Sequence, residues 1–95
     1  MSRETKYKQN PDFIYRKIVD ESVLLPIKNN VADMDCIYTL NDLGAFLWEQ
    51  LSNPASQYEL EDAVLAVYDA DREILVTDLE NFIAEMVSIG ALQVE

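Results

Sequence analysis

The stretch Leu40-Asn41-Asp42-Leu43-Gly44-Ala45-Phe46-Leu47-Trp48-Glu49-Gln50-Leu51 constrains the fold most, because the pattern of the chain changes there. Before it, apolar residues fall in short runs rich in β-branched and aromatic side chains. After it, they recur at helical spacing. Asn41 suits the cap position, since its side chain can accept from a backbone N–H two or three residues on. The helix it opens is expected to run to about Ser52, with Leu43, Phe46, Leu47 and Leu51 on one face. Gly44 and Trp48 lie beside that face, and Trp48 reads as scaffold. Gly44 costs about 1 kcal/mol relative to Ala in a helix interior, which suggests close approach by another backbone.

Upstream, Phe13–Val19 has the composition of a strand. Asp20-Glu21 interrupts the pattern and Ser22–Ile27 resumes it, so the two runs read as a hairpin. Pro26 has no amide proton for a ladder and belongs at an edge or a strand end. Lys28–Asp35 reads as a loop and Cys36–Leu40 as a third strand. Residues 1–12 are polar, with the turn cluster Asn10-Pro11-Asp12, and are expected to be a flexible arm ahead of one domain spanning 13–95.

Downstream, Asn53-Pro54 ends the first helix. Ser56-Gln57-Tyr58-Glu59 has the form of a capping box and opens a second helix, with Leu60, Ala63, Val64 and Val67 as its apolar stripe. Asp71 should cap a third helix from about Arg72 to Ile89. Gly90 stands where a left-handed residue commonly closes a helix. Ala91–Val94 is expected to pack back on the core. The fold class is therefore α+β: a three-stranded antiparallel sheet followed by three helices.

The third helix carries a wider apolar face than one packed neighbour requires. Val76, Leu79, Ile83 and Met86 form its core row. Asp78, Phe82, Glu85 and Ile89 form a second row that widens the arc to roughly 160° at about 100° per residue. Phe82 and Ile89 serve equally well as packing against the sheet or tail. As a functional surface, the second row would be one wall of a groove whose other wall is the open strand edge. An extended peptide could add there as a strand, with apolar side chains on Phe82 and basic ones near Asp78 and Glu85.

Several function classes are excluded or disfavoured. The chain has no His, the commonest general base and transition-metal ligand. Its one Cys, Cys36, cannot build a zinc site or an internal disulfide, which fits a reducing, cytoplasmic setting. The two glycines, Gly44 and Gly90, stand too far apart for a phosphate loop. Asp33-Met34-Asp35 and Asp69-Ala70-Asp71 do not continue into a calcium loop. Neither a cofactor nor a metal is expected, and no active site is visible. The formal net charge is −11, and Arg72 is the only cation after Lys28. That acidity opposes nucleic-acid binding, which draws its affinity from phosphate neutralisation. It suits a basic peptide or protein partner. No apolar run is long enough to span a membrane.

The segments Tyr38-Thr39-Leu40-Asn41-x-x-Gly44-Ala45-x-Leu47-Trp48, Glu59-Leu60, Tyr68, Asp78-Leu79-x-x-Phe82 and Gly90-Ala91-Leu92, in that order and spacing, resemble the PqqD-like family. These are stand-alone recognition elements of ribosomal peptide biosynthesis. The resemblance covers roughly residues 13–94. It implies a fold related to a winged helix-turn-helix and a non-catalytic role. It also implies binding of the leader segment of a precursor peptide and presentation to a modifying enzyme such as a radical S-adenosylmethionine protein. Carried over, Ile37, Tyr38 and Thr39 would supply backbone pairing. Leu79, Phe82 and Met86, with Asp78 and Glu85, would supply the side-chain wall. The alternatives are a winged-helix DNA-binding regulator, disfavoured by the acidic third helix, and an adaptor that binds only the modifying enzyme. An unpaired strand edge would also allow a homodimer.

Overall fold

The computed structural model describes residues 4–27 and 37–95. The loop read over Lys28–Asp35 and the side chain of Cys36 lie outside the described residues. The elements run β1 (Lys6–Gln9), β2 (Phe13–Ile18), β3 (Glu21–Pro26), β4 (Tyr38–Leu40), α1 (Asp42–Gln50), β5 (Ala55–Ser56), α2 (Gln57–Val67), α3 (Arg72–Ser88) and β6 (Leu92–Val94). The expected sheet is β2-β3-β4, all antiparallel. Its register runs Phe13↔Pro26 to Ile18↔Glu21 in the hairpin. β4 joins by Ser22↔Leu40, Val23↔Thr39 and Leu24↔Tyr38. Alternation places Leu24 and Leu40 in the core, and Tyr15 Oη lies 2.9 Å from Ser22 Oγ on the same face.

The two-residue turn of this hairpin places Val19 at φ 56°. A β-branched residue rarely occupies that left-handed region, and hairpin turns of this length normally recruit Gly or Asn for it.

A second sheet, β5-β1-β6, is new relative to the sequence reading. It corrects the expectation of a flexible arm for residues 6–9. Tyr7 stands opposite Ala55 on one side and Val94 on the other, and its side chain is buried. Lys6 and Lys8 alternate outward. The segment is fixed further by Asn10 N–H to the Ala91 carbonyl at 2.8 Å. Asn10 Nδ2 donates to the Gly90 carbonyl at 2.7 Å, and Gln9 Nε2 donates to that of Trp48 at 2.7 Å. β6 is the packed-back tail, with Leu92 buried.

The helix ends follow their local chemistry. Asn41 Oδ1 accepts from Gly44 N–H at 2.7 Å. Glu59 N–H donates to Ser56 Oγ at 3.2 Å and Ser56 N–H donates to Glu59 Oε1 at 3.0 Å, a complete capping box. Asp71 Oδ1 accepts from Glu73 N–H at 2.8 Å. At the far end of α3, Gly90 has φ 86°. Ala91 N–H reaches the Met86 carbonyl and Gly90 N–H the Val87 carbonyl, the paired bonds of a Schellman end. The close neighbour of Gly44 is not another backbone. A Cβ there would meet Asn41 Oδ1 at 3.2 Å and Leu40 side-chain atoms at 3.4 Å, so the glycine makes room for its own helix cap.

The core gathers Leu24, Leu40, Leu47, Trp48, Leu51, Leu60, Val64 and the inner row of α3. That row is Leu75, Leu79, Ile83 and Met86. Leu75 takes the place expected for Val76, which is only half-buried. Val67, expected on the stripe of α2, is exposed.

Candidate functional site

β4 is an edge strand. One side pairs with β3, and among the described residues the other side has no strand partner. The chain leaves β4 through Asn41 straight into α1, so the cap that starts the helix also fixes the end of the strand. α3 runs alongside. Residues 78, 81, 82 and 85 share a face, being three or four residues apart.

The two elements enclose a cleft of about 340 Å³. Thr39, Leu40 and Asn41 form its strand side, and Asp78, Asn81, Phe82 and Glu85 its helix side. Leu43, Gly44 and Leu47 of α1 complete the lining. Leu40, Gly44 and Leu47 are buried and form a firm floor. Phe82 is half-buried, part of its ring held by the core and part lining the cleft. Asp78 and Glu85 lie on either side of it, about 10 Å apart along the helix axis. Among the described residues no Lys or Arg lines the cleft, and the field of its two carboxylates favours a cation.

The cleft thus combines Thr39, Asp78, Phe82 and Glu85 from the sequence-read set. Of the others, Leu79 and Met86 lie elsewhere, while Ile37 and Tyr38, read for backbone pairing alone, sit just ahead of and within β4. Leu79 and Met86 are at 0% and 2% exposure, on the inner face of α3, and cannot form the side-chain wall carried over from the resemblance. Their reading as core residues holds. Tyr38 turns toward the core on the opposite face of the strand from Thr39. Ile37 is exposed just ahead of β4 and does not line the cleft. Sequence reasoning missed Asn81, Leu43, Gly44 and Leu47 as lining. Asn81 was discoverable from its helical spacing to Asp78 and Glu85. The α1 residues became lining only through the tight strand-to-helix passage.

Asp78 and Glu85 are the carboxylates of the cleft among the described residues. Among the described residues no group of three or more His, Cys, Asp or Glu side chains could hold a metal ion. Outside the cleft, the Glu59 carboxyl is held below its ordinary value, first by the Ser56 backbone N–H and then by Lys6. It belongs to the α2 cap. Among the described residues no helix is long and apolar enough to cross a membrane.

The class defined by these features is a small α+β domain with an open strand edge beside an acidic, aromatic helix face. Two solved structures share its fold. One, TbiB1 in complex with the TbiA(beta) leader peptide, is 26% identical, with a TM-score of 0.73 over 90% of this chain and 94% of that one. The other, a lasso peptide synthetase B1 complexed with the leader peptide, is 16% identical, with a TM-score of 0.73 over 92% of this chain and 96% of that one. No curated protein matches the chain. The family model described as coenzyme PQQ synthesis protein D (PqqD) matches residues 21–92. The chain belongs to the PqqD family.

Proposed function

We propose that this protein binds the leader segment of a ribosomally made precursor peptide, without catalysis, and presents it to a modifying enzyme. The peptide adds as a strand to the open edge of β4, beside α3. The carrying observation is the cleft that places Thr39 of that edge opposite Asp78, Phe82 and Glu85. Such an arrangement divides the work as strand addition does elsewhere: main-chain hydrogen bonds give affinity and side-chain pockets give selection. An apolar peptide side chain would pack on Phe82, with Lys or Arg beside Asp78 and Glu85. The solved complexes named above, each holding a leader peptide, support the same reading.

The enzyme that receives the peptide is the second partner, a radical S-adenosylmethionine protein or another tailoring enzyme, in the cytoplasm where the precursor is made. A direct test titrates labelled leader segments of short precursors encoded beside this chain. Micromolar or tighter binding is expected for one of them. Glu85→Lys, at an exposed position, should weaken it, and Phe82→Asp should abolish it. Absence of binding to every such segment would sink the reading.

A further inference from the structure

Among the described residues β4 pairs over only three, so a strand added there gains few main-chain hydrogen bonds, each of small net worth. Strand addition there alone falls well short of micromolar binding. Side-chain pockets must supply the rest, and the structure contains a second one.

It has a volume of about 370 Å³ and lies where the end of α2 meets the start of α3. Val64 and Leu75 are buried within its lining. Tyr68 and Ile74 are exposed at 42% and 64% and form its sides. The Tyr68 ring stands edge-on to Phe46, with centroids 5.4 Å apart and planes at 89°, so that side is braced. Asp69, Asp71 and Asp78 contribute carboxylates to the lining, and among the described residues no Lys or Arg does. Leu43 and Asp78 line both this pocket and the β4–α3 cleft, so the two are neighbours that share these side chains.

We propose that this second pocket receives a further part of the same leader peptide: a bulky apolar or aromatic side chain with Lys or Arg next to it. The inference rests on the reading given under Proposed function and adds to it a second subsite and its selectivity. The shared Leu43 and Asp78 name the occupant, because a chain lying along the first cleft meets the second at those two side chains. The acidic lining sets the charge of its flanking residue. The spacing follows from α3 itself. Ile74 and Phe82 share a face eight residues apart, about 12 Å at 1.5 Å per residue. An extended peptide rises about 3.3 Å per residue, so the two anchoring side chains lie about four residues apart.

The test begins by selecting binders from a displayed library of random linear peptides on the intact protein. The selected sequences should carry two apolar positions about four residues apart, the outer one next to Lys or Arg. Ile74→Asp, at a position exposed enough to leave the fold intact, should weaken these peptides by about tenfold or more. Asp69→Asn with Asp71→Asn should weaken them and flatten their salt dependence, and Asn at position 71 keeps a cap on α3. In amide NMR spectra the peptides should shift Tyr68, Ala70 and Ile74 together with Thr39, Phe82 and Glu85. If only the second set moves and Ile74→Asp binds like the parent, this inference is overturned while the first cleft stands. If neither set moves, both readings fail.

Discussion

Arg72 spans from the first turn of α3 to α2, its Nη1 3.0 Å from Glu61 Oε1. Glu61 is at 0% exposure, and Gln57 Nε2 donates to its other oxygen at 3.1 Å. The same guanidinium holds exposed Asp62 at 3.2 Å. A carboxylate taken fully out of water is tolerated only with such partners. The contact therefore helps set how α2 and α3 meet. Arg72→Ala should destabilise the protein by about 1–3 kcal/mol, the Arg side being half in water. Lys6→Ala, which removes the exposed pair with Glu59, should cost clearly less than Arg72→Ala. Urea unfolding followed by the fluorescence of Trp48, the single Trp and a buried one, measures both. Equal effects of the two substitutions would contradict this assignment.

The first strand is structural. Tyr7 is at 3% exposure between two partner strands, so Tyr7→Ala should cost about 3 kcal/mol. Lys8→Ala, one residue on and outward, should change stability little. The same unfolding measurement separates them, and a silent Tyr7→Ala would mean that residues 6–9 do not hold the sheet.

Val19 carries strain at the tip of the β2–β3 turn, at φ 56° and 87% exposed. Replacing it with Asn, which tolerates the left-handed region, should raise stability by about 1 kcal/mol. The thermal midpoint should rise accordingly; a lower one would show that the Val side chain packs where the account leaves it in water.

Acid should reach the α2 cap late. The Glu59 carboxyl is lowered from its ordinary value of 4.5, first by the Ser56 N–H it accepts from and then by Lys6. The native state thus binds fewer protons at this group than the unfolded chain does. Its contribution is complete above about 4.5 and is lost as pH falls through the lower folded-state value. Glu59→Gln keeps a capping-box acceptor and should flatten the acid limb of the stability–pH curve. An unchanged limb would refute the linkage.

What was legible in the sequence was what is local. Asn41, Ser56 with Glu59, Asp71 and Gly90 each mark a helix end through atoms two to five residues away, and each does so in the structure. The hairpin was legible because its turn lies between its own strands. β1, β5 and β6 were not, since Tyr7 meets Ala55 and Val94 from distant parts of the chain and two lysines flank it. Within the site, Phe82, Asp78 and Glu85 followed from the width of the α3 face. The placing of Leu79 and Met86 in the wall failed against their own periodicity, which already put them in the core. The burial of Glu61 left no trace in a helix whose neighbouring acids all face water.

Amide hydrogen exchange at β4 tests the central claim most directly. With a bound leader peptide, the outward-facing amide or amides among Tyr38–Leu40 should gain protection, while the exposed edge of β2 should stay unchanged. Peptide binding that leaves β4 unprotected, or that protects β2 instead, would contradict strand addition at this edge.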